Sequence, residues 1–170
     1  LFMVDEVQTG NGRSGYLYAY EHFGLKPDVV TTAKGLAGGL PLGVCMMASN
    51  VEDVLQKGEH GSTFGANPVC CAAAVSILSR IDDKLLEEVR QKAQLVKDEL
   101  TGCPGIEDVC GLGLMIGIKT TKPASEVAKA CLEAGVLVLT AKDKVRLLPA
   151  LNIPFDLLKR SLEIIKGVCA

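Results

Sequence analysis

Tryptophan is absent from this sequence, and the other aromatic residues are few, so aromatic side chains make up 4% of the 170 residues. Histidine occurs twice, and no two of the seven cysteines form a C-x-x-C pair, so the ligand spacing of a zinc site is missing. No run of lysine or arginine stands out, and 18 basic residues against 20 acidic ones give a net charge of −2. These absences argue against a zinc protein and against a nucleic-acid partner.

Long apolar runs are missing as well, since no stretch approaches the roughly 18 residues that a membrane-spanning helix needs. The opening residues LFMVDEVQTG contain no charged leader and no cleavage site, so we predict no secretory signal. They also lack an initiator methionine, and we expect a piece of a longer protein. Six of the cysteines lie inside apolar runs: Cys45, Cys70, Cys71, Cys110, Cys131 and Cys169. There a thiol behaves as a small buried hydrophobe, and free thiols without an export signal favour the cytoplasm.

Short apolar runs alternate with glycine- and proline-rich breaks, a pattern typical of a mixed α/β protein. We predict strands at residues 1–4, 29–32, 43–48, 106–110, 114–119, 136–139 and 145–148. We predict helices at residues 16–23, 51–56, 69–81, 82–100, 125–134 and 155–168. The run at 1–4 is typical of a strand buried on both faces, and the helix at 69–81 is apolar nearly all round, which predicts burial. Asn67 and Pro68 suit the start of that helix, with the asparagine as its cap.

A glycine- and proline-containing break at Gly102–Gly105 divides the chain into two patterns. The strands and helices on its C-terminal side predict a small α+β unit of their own. We therefore place a domain boundary near residue 101, which gives domains at 1–100 and 101–170.

An acid and an amine come after two of the predicted strands: Asp5 directly after the first, and Lys34 just beyond the second. Ligands of open α/β sheets collect at the carboxyl ends of the strands, so both side chains are expected at one pocket. An aldehyde cofactor needs an amine to bond with, and its pyridine nitrogen needs a carboxylate partner to stay protonated. Taken alone, the pair is also open to interpretation as a surface salt bridge or as two unrelated loop residues.

Three motifs surround these residues, namely DEVQTGNGRSG at 5–15, TAKGLAGGLPLG at 32–43 and HGSTFGANP at 60–68. The lysine lies 29 residues after the aspartate. In order and spacing the motifs resemble those of class III aminotransferases. The resemblance continues through GLGLMIG at 111–117 and VLVLT at 136–140. It implies a fold of the aspartate-aminotransferase type (fold type I), with 1–100 as the end of the large α/β domain and 101–170 as the small C-terminal α+β domain.

The resemblance also implies pyridoxal 5′-phosphate (PLP) as the cofactor. Lys34 would bond covalently to PLP and later move protons at the substrate α-carbon, and Asp5 would pair with the pyridinium nitrogen. The wall beside the cofactor ring would be formed by the next three residues of the motif: Glu6, Val7 and Gln8.

Further residues of the matched motifs would contact phosphate and substrate. Thr63 would bind the phosphate, in this family typically that of the neighbouring subunit, which implies a homodimer. Ser62 would lie near the substrate, and Arg146 would hold a substrate carboxylate, since a planar guanidinium binds carboxylate bidentately. Ala66 departs from the family pattern, because a second glycine is usual there.

Within the class, the stretches HGSTFGANP, VLVLTA and VRLLPALNI are most similar to acetylornithine aminotransferases of arginine biosynthesis. That similarity implies transfer of an amino group from N-acetylornithine to 2-oxoglutarate. Ornithine, succinylornithine and 4-aminobutyrate aminotransferases share enough of the pattern to stay open as alternatives.

Two functions of other classes also stay open. The residues LFMVDE at 1–6 fit a Walker B strand of an ATPase, but the chain has no G-x-x-x-x-G-K-[ST] motif. A non-catalytic module of the same architecture is the second alternative. In the family, the phosphate-cradling loop and the residue that stacks on the cofactor come from the preceding half of the chain. We therefore expect weak PLP binding and negligible turnover from these 170 residues alone.

Overall fold

Two β-sheets, one of three strands and one of four, organise the computed structural model, which describes all 170 residues. The chain groups into one unit at Leu1–Leu86 and a second at Glu87–Ala170. Both units combine strands and helices, so the predicted mixed α/β class is confirmed. The predicted domain boundary near residue 101 stays a prediction.

The sheet of the first unit has the strand order β1-β2-β3. Its strands are β1 (Met3–Asp5), β2 (Val29–Thr32) and β3 (Val44–Met47). β1 runs parallel to β2 with Asp5 opposite Thr31, and β3 runs antiparallel to β2. The carboxyl ends of β1 and β2 therefore meet at one edge of the sheet.

Three helical segments accompany this sheet: α1 (Ala19–His22), a 3-10 turn at Lys34–Ala37 and α2 (Pro68–Leu78). The predicted start of α2 is confirmed, because the side chain of Asn67 accepts hydrogen bonds from two backbone N–H groups of the first turn. The proline then occupies the first helical position, where its missing N–H is harmless.

Two predictions of burial in this unit are wrong. β1 is an edge strand with a single neighbour, and Leu1 and Met3 are largely exposed. Along α2 only Cys70 and Ala74 are buried, while Val75 is 68% exposed. The apolar pattern predicts that β1 and α2 are covered on both sides. Within the first unit, each of them is covered on one side only.

Two predicted helices also differ from the structure. Residues 51–56 form no helix: a single turn at 51–53 is closed by the bond from Val54 N–H to the carbonyl of Val51, and the chain then bends away. The helix predicted at 16–23 shrinks to the four residues of α1, because Tyr18 is extended, with φ −130° and ψ 143°.

The sheet of the second unit is antiparallel throughout, with the order β4-β5-β7-β6. Its strands are β4 (Ile106–Leu112), β5 (Met115–Thr120), β6 (Leu139–Ala141) and β7 (Lys144–Leu147). The helices of this part of the chain are α3 (Asp83–Leu100), α4 (Ala124–Glu133) and α5 (Phe155–Cys169). Helices and strands share one apolar core, which includes Val96, Ile118, Val127, Val145 and Leu162.

The strand predicted at 136–139 begins later than expected. α4 ends in a left-handed turn at Gly135, with φ 87°, and Val136 N–H bonds back to the carbonyl of Cys131 at 2.8 Å. That backbone group is therefore unavailable to the sheet, and pairing begins at Leu139, opposite Arg146.

A buried lysine ties α3 to the segment before α5. Lys92 is 1% exposed, and its ammonium donates to the carbonyl of Leu151 at 2.9 Å and to the carboxylate of Glu88 at 3.2 Å. It also lies 5.2 Å from the ring centroid of Phe155. The charge is therefore compensated on three sides, as burial requires.

Replacement of Lys92 by methionine is expected to destabilise the protein by about 1–3 kcal/mol, because the carbonyl of Leu151 loses its donor in a partly buried place. The unfolding midpoint in urea, at constant slope, measures this loss. Lys84→Met is the matched control, since Lys84 is exposed on the same helix. Equal midpoints for the two variants would contradict the assigned role of Lys92.

All seven cysteines are free thiols, and three of them, Cys70, Cys131 and Cys169, are buried as predicted. Burial raises the pKa of the Cys131 and Cys169 thiols. The expectation is wrong for Cys45, which is exposed on β3 because that strand ends the sheet.

No helix has the length and apolar character needed to cross a membrane.

Candidate active site

The two residues singled out by their chemistry lie at the same edge of the first sheet. Asp5 is the last residue of β1, and Lys34 lies two positions beyond the end of the parallel strand β2. Both residues are exposed. An acid and a primary amine are thus presented to solvent where parallel strands end, the usual place for a ligand in such sheets.

The backbone at Lys34 is in an uncommon conformation. Its φ is +50°, in the left-handed region that residues with a Cβ rarely adopt. Such a conformation costs on the order of 1–3 kcal/mol and persists only where the surroundings enforce it. Strain of this kind concentrates at functional sites, and here it sets the direction in which the lysine side chain leaves the sheet edge.

The carboxylate of Asp5 is oriented by its own loop. Its Oδ1 accepts a hydrogen bond from the backbone N–H of Val7 at 2.9 Å. This short-range contact fixes the carboxylate and leaves Oδ2 available to a ligand nitrogen.

Glu6 occupies a different environment from its neighbour. Its side chain is 1% exposed, and its carboxylate accepts hydrogen bonds from the hydroxyl of Thr9 and, at 2.9 Å, from the backbone N–H of Tyr20. The carboxylate therefore joins the turn at 9–15 to the start of α1. A contact of Glu6 with the cofactor stays a prediction, and its visible role is to hold this loop together.

A second polar link joins the same turn to the strand that precedes the lysine. The amide nitrogen of Asn11 donates to the hydroxyl of Thr32 and to the carbonyl of Ala33, both at 3.1 Å. Burial raises the pKa of Tyr18, and its side-chain interaction with Thr32 opposes that rise. Asn11 is not among the residues predicted from the sequence, where its only signal is a polar side chain between two glycines.

The other residues of the predicted site in this unit are less enclosed. Gln8, Ser62 and Thr63 are exposed, and Val7 is half-buried. The roles assigned to these four residues stay predictions. Ala66, where the family pattern has glycine, has φ +52° and so carries left-handed strain that glycine would avoid.

Arg146 belongs to the second unit, on the central strand β7. It lies opposite Gly117 of β5 and Leu139 of β6. Burial alternates along β7, with Val145 and Leu147 in the core and Arg146 half-buried between them. The guanidinium therefore projects from the face of the sheet opposite to the core.

The profile of the family described as aminotransferase class-III matches residues 1–169. The chain therefore belongs to the class III aminotransferases, a PLP-dependent family. The resemblance carried by the three motifs is confirmed.

Individual relatives point to two branches of this family. Acetylornithine aminotransferase of Haemophilus ducreyi is 48% identical over 170 residues, a match that covers 99% of this chain and 43% of that protein. The crystal structure of acetylornithine aminotransferase from Elizabethkingia anophelis matches with a TM-score of 0.90 and 34% identity, covering 99% of this chain and 47% of that one. A structure of ornithine δ-aminotransferase from Plasmodium falciparum matches with a TM-score of 0.88 and 35% identity, over 99% and 46% of the two chains.

These matches confirm the predicted fold type, since the similar structures are class III aminotransferases along nearly the whole chain. The chain spans less than half the length of each of these three relatives.

Proposed function

We propose that this chain contributes the lysine and the pyridinium-binding aspartate to an enzyme that transfers an amino group from N-acetylornithine to 2-oxoglutarate in arginine biosynthesis. The placement of Asp5 and Lys34 at one edge of the parallel pair β1–β2 carries the proposal. The acetylornithine aminotransferases among the relatives support the substrate.

The groups at this edge fit PLP by their chemistry. When bound, PLP supplies an aldehyde that bonds to amines and a pyridinium ring that withdraws electrons from the substrate α-carbon. Lys34 offers the exposed primary amine, and Asp5 offers a carboxylate whose Oδ1 is already fixed by Val7. Both requirements of such a cofactor are met by side chains of this chain.

Each residue then has a definite task in the proposed cycle. Lys34 Nζ would hold the cofactor, and with substrate bound it would move a proton to and from the substrate α-carbon. Asp5 keeps the ring nitrogen protonated, because a carboxylate within hydrogen-bonding distance favours the charged form. We assign the phosphate to Thr63, the neighbourhood of the substrate to Ser62, and the wall of the cofactor pocket to the segment 6–8.

We further propose that the protein acts in the cytoplasm as a homodimer, in which Thr63 serves the phosphate of the neighbouring subunit. Residues 1–100 would form the end of the cofactor-binding domain, and residues 101–170 the small domain. The exposed apolar residues of β1 and α2 support a larger assembly, because surfaces of this kind are usually covered in the working protein.

Arg146 is proposed to bind a carboxylate of the substrates through two parallel N–H···O bonds. Lysine in its place keeps the charge but loses the planar fork, so Arg146→Lys is expected to raise the KM for 2-oxoglutarate by about 10- to 100-fold, the value of a charge-assisted hydrogen bond. Steady-state kinetics of the full-length protein measure this change. Arg160→Lys, on the exposed side of α5, is the matched control.

An unchanged KM in Arg146→Lys would show that the substrate carboxylate binds elsewhere. A loss in kcat alone, with KM preserved, would likewise contradict ground-state binding of the carboxylate by Arg146.

Among the alternative amino donors, ornithine has specific support, because an ornithine δ-aminotransferase structure matches almost as well as the acetylornithine enzyme. The two amino donors differ by an acetyl group that removes a positive charge. The ratio of kcat/KM for N-acetylornithine to that for ornithine, measured on the full-length protein with 2-oxoglutarate, separates them. We expect a ratio well above one, and a ratio below one would replace acetylornithine by ornithine in the proposal.

A further inference from the structure

A buried asparagine lies behind the segment that carries the lysine. Asn11 is 8% exposed and has φ +55°, in the left-handed region that asparagine tolerates better than most residues. It occupies the position between two glycines of the turn after β1, far along the sequence from Lys34. Its side chain nevertheless reaches across to the end of β2.

Both donor hydrogens of the Asn11 amide have acceptors next to the lysine. One goes to the hydroxyl of Thr32, the last residue of β2, and the other to the carbonyl of Ala33, each over 3.1 Å. Thr32 is itself 2% exposed, so the first of these bonds is shielded from water. The amide thus clamps the two residues that directly precede Lys34.

The oxygen of the Asn11 amide indicates that this side chain does more than fill space in the core. Its Oδ1 is buried and has no hydrogen-bond partner. An unpaired buried carbonyl oxygen destabilises the folded state, so other interactions of the same side chain have to offset that cost. In this structure those interactions are the two bonds to the segment at 32–33.

The segment at 32–33 needs an external restraint because the backbone changes direction sharply at its end. Ala33 is extended, with φ −165° and ψ −144°, and the next residue turns abruptly to the left-handed φ of +50°. A lysine held in this conformation relaxes unless its neighbours fix the peptide units on its N-terminal side. One bond from Asn11 holds the carbonyl of Ala33, which belongs to the peptide unit shared with Lys34 and also accepts a hydrogen bond from the N–H of Leu36 at 3.1 Å. The other bond holds the side chain of Thr32, one residue earlier.

We propose that Asn11 is a positioning residue for Lys34: it holds the Thr32–Ala33 segment so that the lysine amine leaves the sheet edge in the direction needed to attack the cofactor aldehyde. This role of Asn11 rests on the proposed function of Lys34. The positioning role predicts that the Asn11 amide assists the bonding step, in which the Lys34 amine adds to the aldehyde carbon and one water is lost. The earlier, non-covalent binding of PLP is expected to be independent of Asn11.

The test uses the full-length protein freed of cofactor and mixed rapidly with PLP at increasing concentrations. The visible absorbance band of the lysine adduct appears at a rate that saturates with PLP concentration. The limiting rate reports bond formation by Lys34, and the half-saturating concentration reports capture. Asn11→Gly is the main variant, because glycine adopts φ +55° without strain and removes only the amide. Thr32→Val removes the other end of the clamp and keeps the branched shape.

We expect both variants to lower the limiting rate by about 10- to 100-fold, the effect of a small misplacement of a reacting group, with the half-saturating PLP concentration unchanged. Asn50→Ala is the matched control, since Asn50 is an exposed asparagine that bonds to Asp28 in the same unit. It is expected to leave both parameters as they are.

Two results would overturn the positioning role. One is an unchanged limiting rate in Asn11→Gly and Thr32→Val. The other is a parallel loss of limiting rate and PLP capture, which would indicate general loosening of the loop. If the unaltered protein forms no lysine adduct at all, the proposed function of Lys34 is wrong and the role of Asn11 is refuted with it, so the two failures are told apart by the unaltered protein.

Discussion

Replacement of Lys34 by alanine is expected to lower kcat of the full-length enzyme by at least about 10⁴-fold, because the variant loses both the amine that holds the cofactor and the group that moves the α-proton. Alanine has a Cβ, as lysine does, so the strained backbone is retained and the fold is expected to survive. Transamination of N-acetylornithine, monitored through glutamate formation, measures the loss. Lys26→Ala, in the exposed loop before β2, is the matched control.

Lys34→Gly separates the chemical role of this position from its conformational strain. The variant is expected to be as inactive as Lys34→Ala but more stable by up to about 1 kcal/mol, since glycine adopts φ +50° freely and its larger unfolded-state entropy offsets part of that gain. Urea unfolding compares the two variants. Activity in either variant above about one hundredth of the unaltered enzyme would contradict the assignment of Lys34.

Replacement of Asp5 by asparagine is the second change with a large expected effect. The amide has the shape of the carboxylate but no charge, so it no longer keeps the ring nitrogen protonated, and kcat is expected to fall by about 10²- to 10⁴-fold. The lysine adduct should still form, because Lys34 is untouched. A retained absorbance band together with a reduced kcat distinguishes this outcome from a failure to bind PLP, in which both would be lost.

The control for this change is Asp53→Asn, an exposed aspartate of a turn in the same unit. A kcat for Asp5→Asn within about tenfold of the unaltered enzyme would mean that another group protonates the ring, and the proposed pairing would be wrong.

The position of Asp5 and Lys34 at one sheet edge is predictable from the sequence because its main determinants are local. The β-branched run at 29–32 specifies β2 to the residue, and the apolar run before Asp5 specifies β1 within two residues. Once both strands are known, the rule that ligands lie at carboxyl ends places Asp5 and Lys34 together. The asparagine cap of α2 is equally local, and its prediction is confirmed.

The wrong predictions concern features that depend on tertiary structure, namely burial and the start of a strand. Apolar composition predicts burial of β1 and α2, but composition does not say which other parts of a protein provide the cover. The strand at β6 starts late because Val136 bonds back to α4, a choice that depends on the geometry of the helix end. Asn11 is invisible to pattern analysis, because its partners Thr32 and Ala33 are more than twenty residues away and meet it only through the parallel pairing of β1 and β2.

The most direct test of the central claim is chemical labelling of the lysine. The full-length protein is saturated with PLP, reduced with borohydride to make the adduct permanent, digested, and mapped by mass spectrometry. The proposed function predicts one modified site, Lys34, and its disappearance when a competing amino donor is present before reduction. Reduced PLP spread over surface lysines, or on a single lysine other than Lys34, would contradict the proposed function.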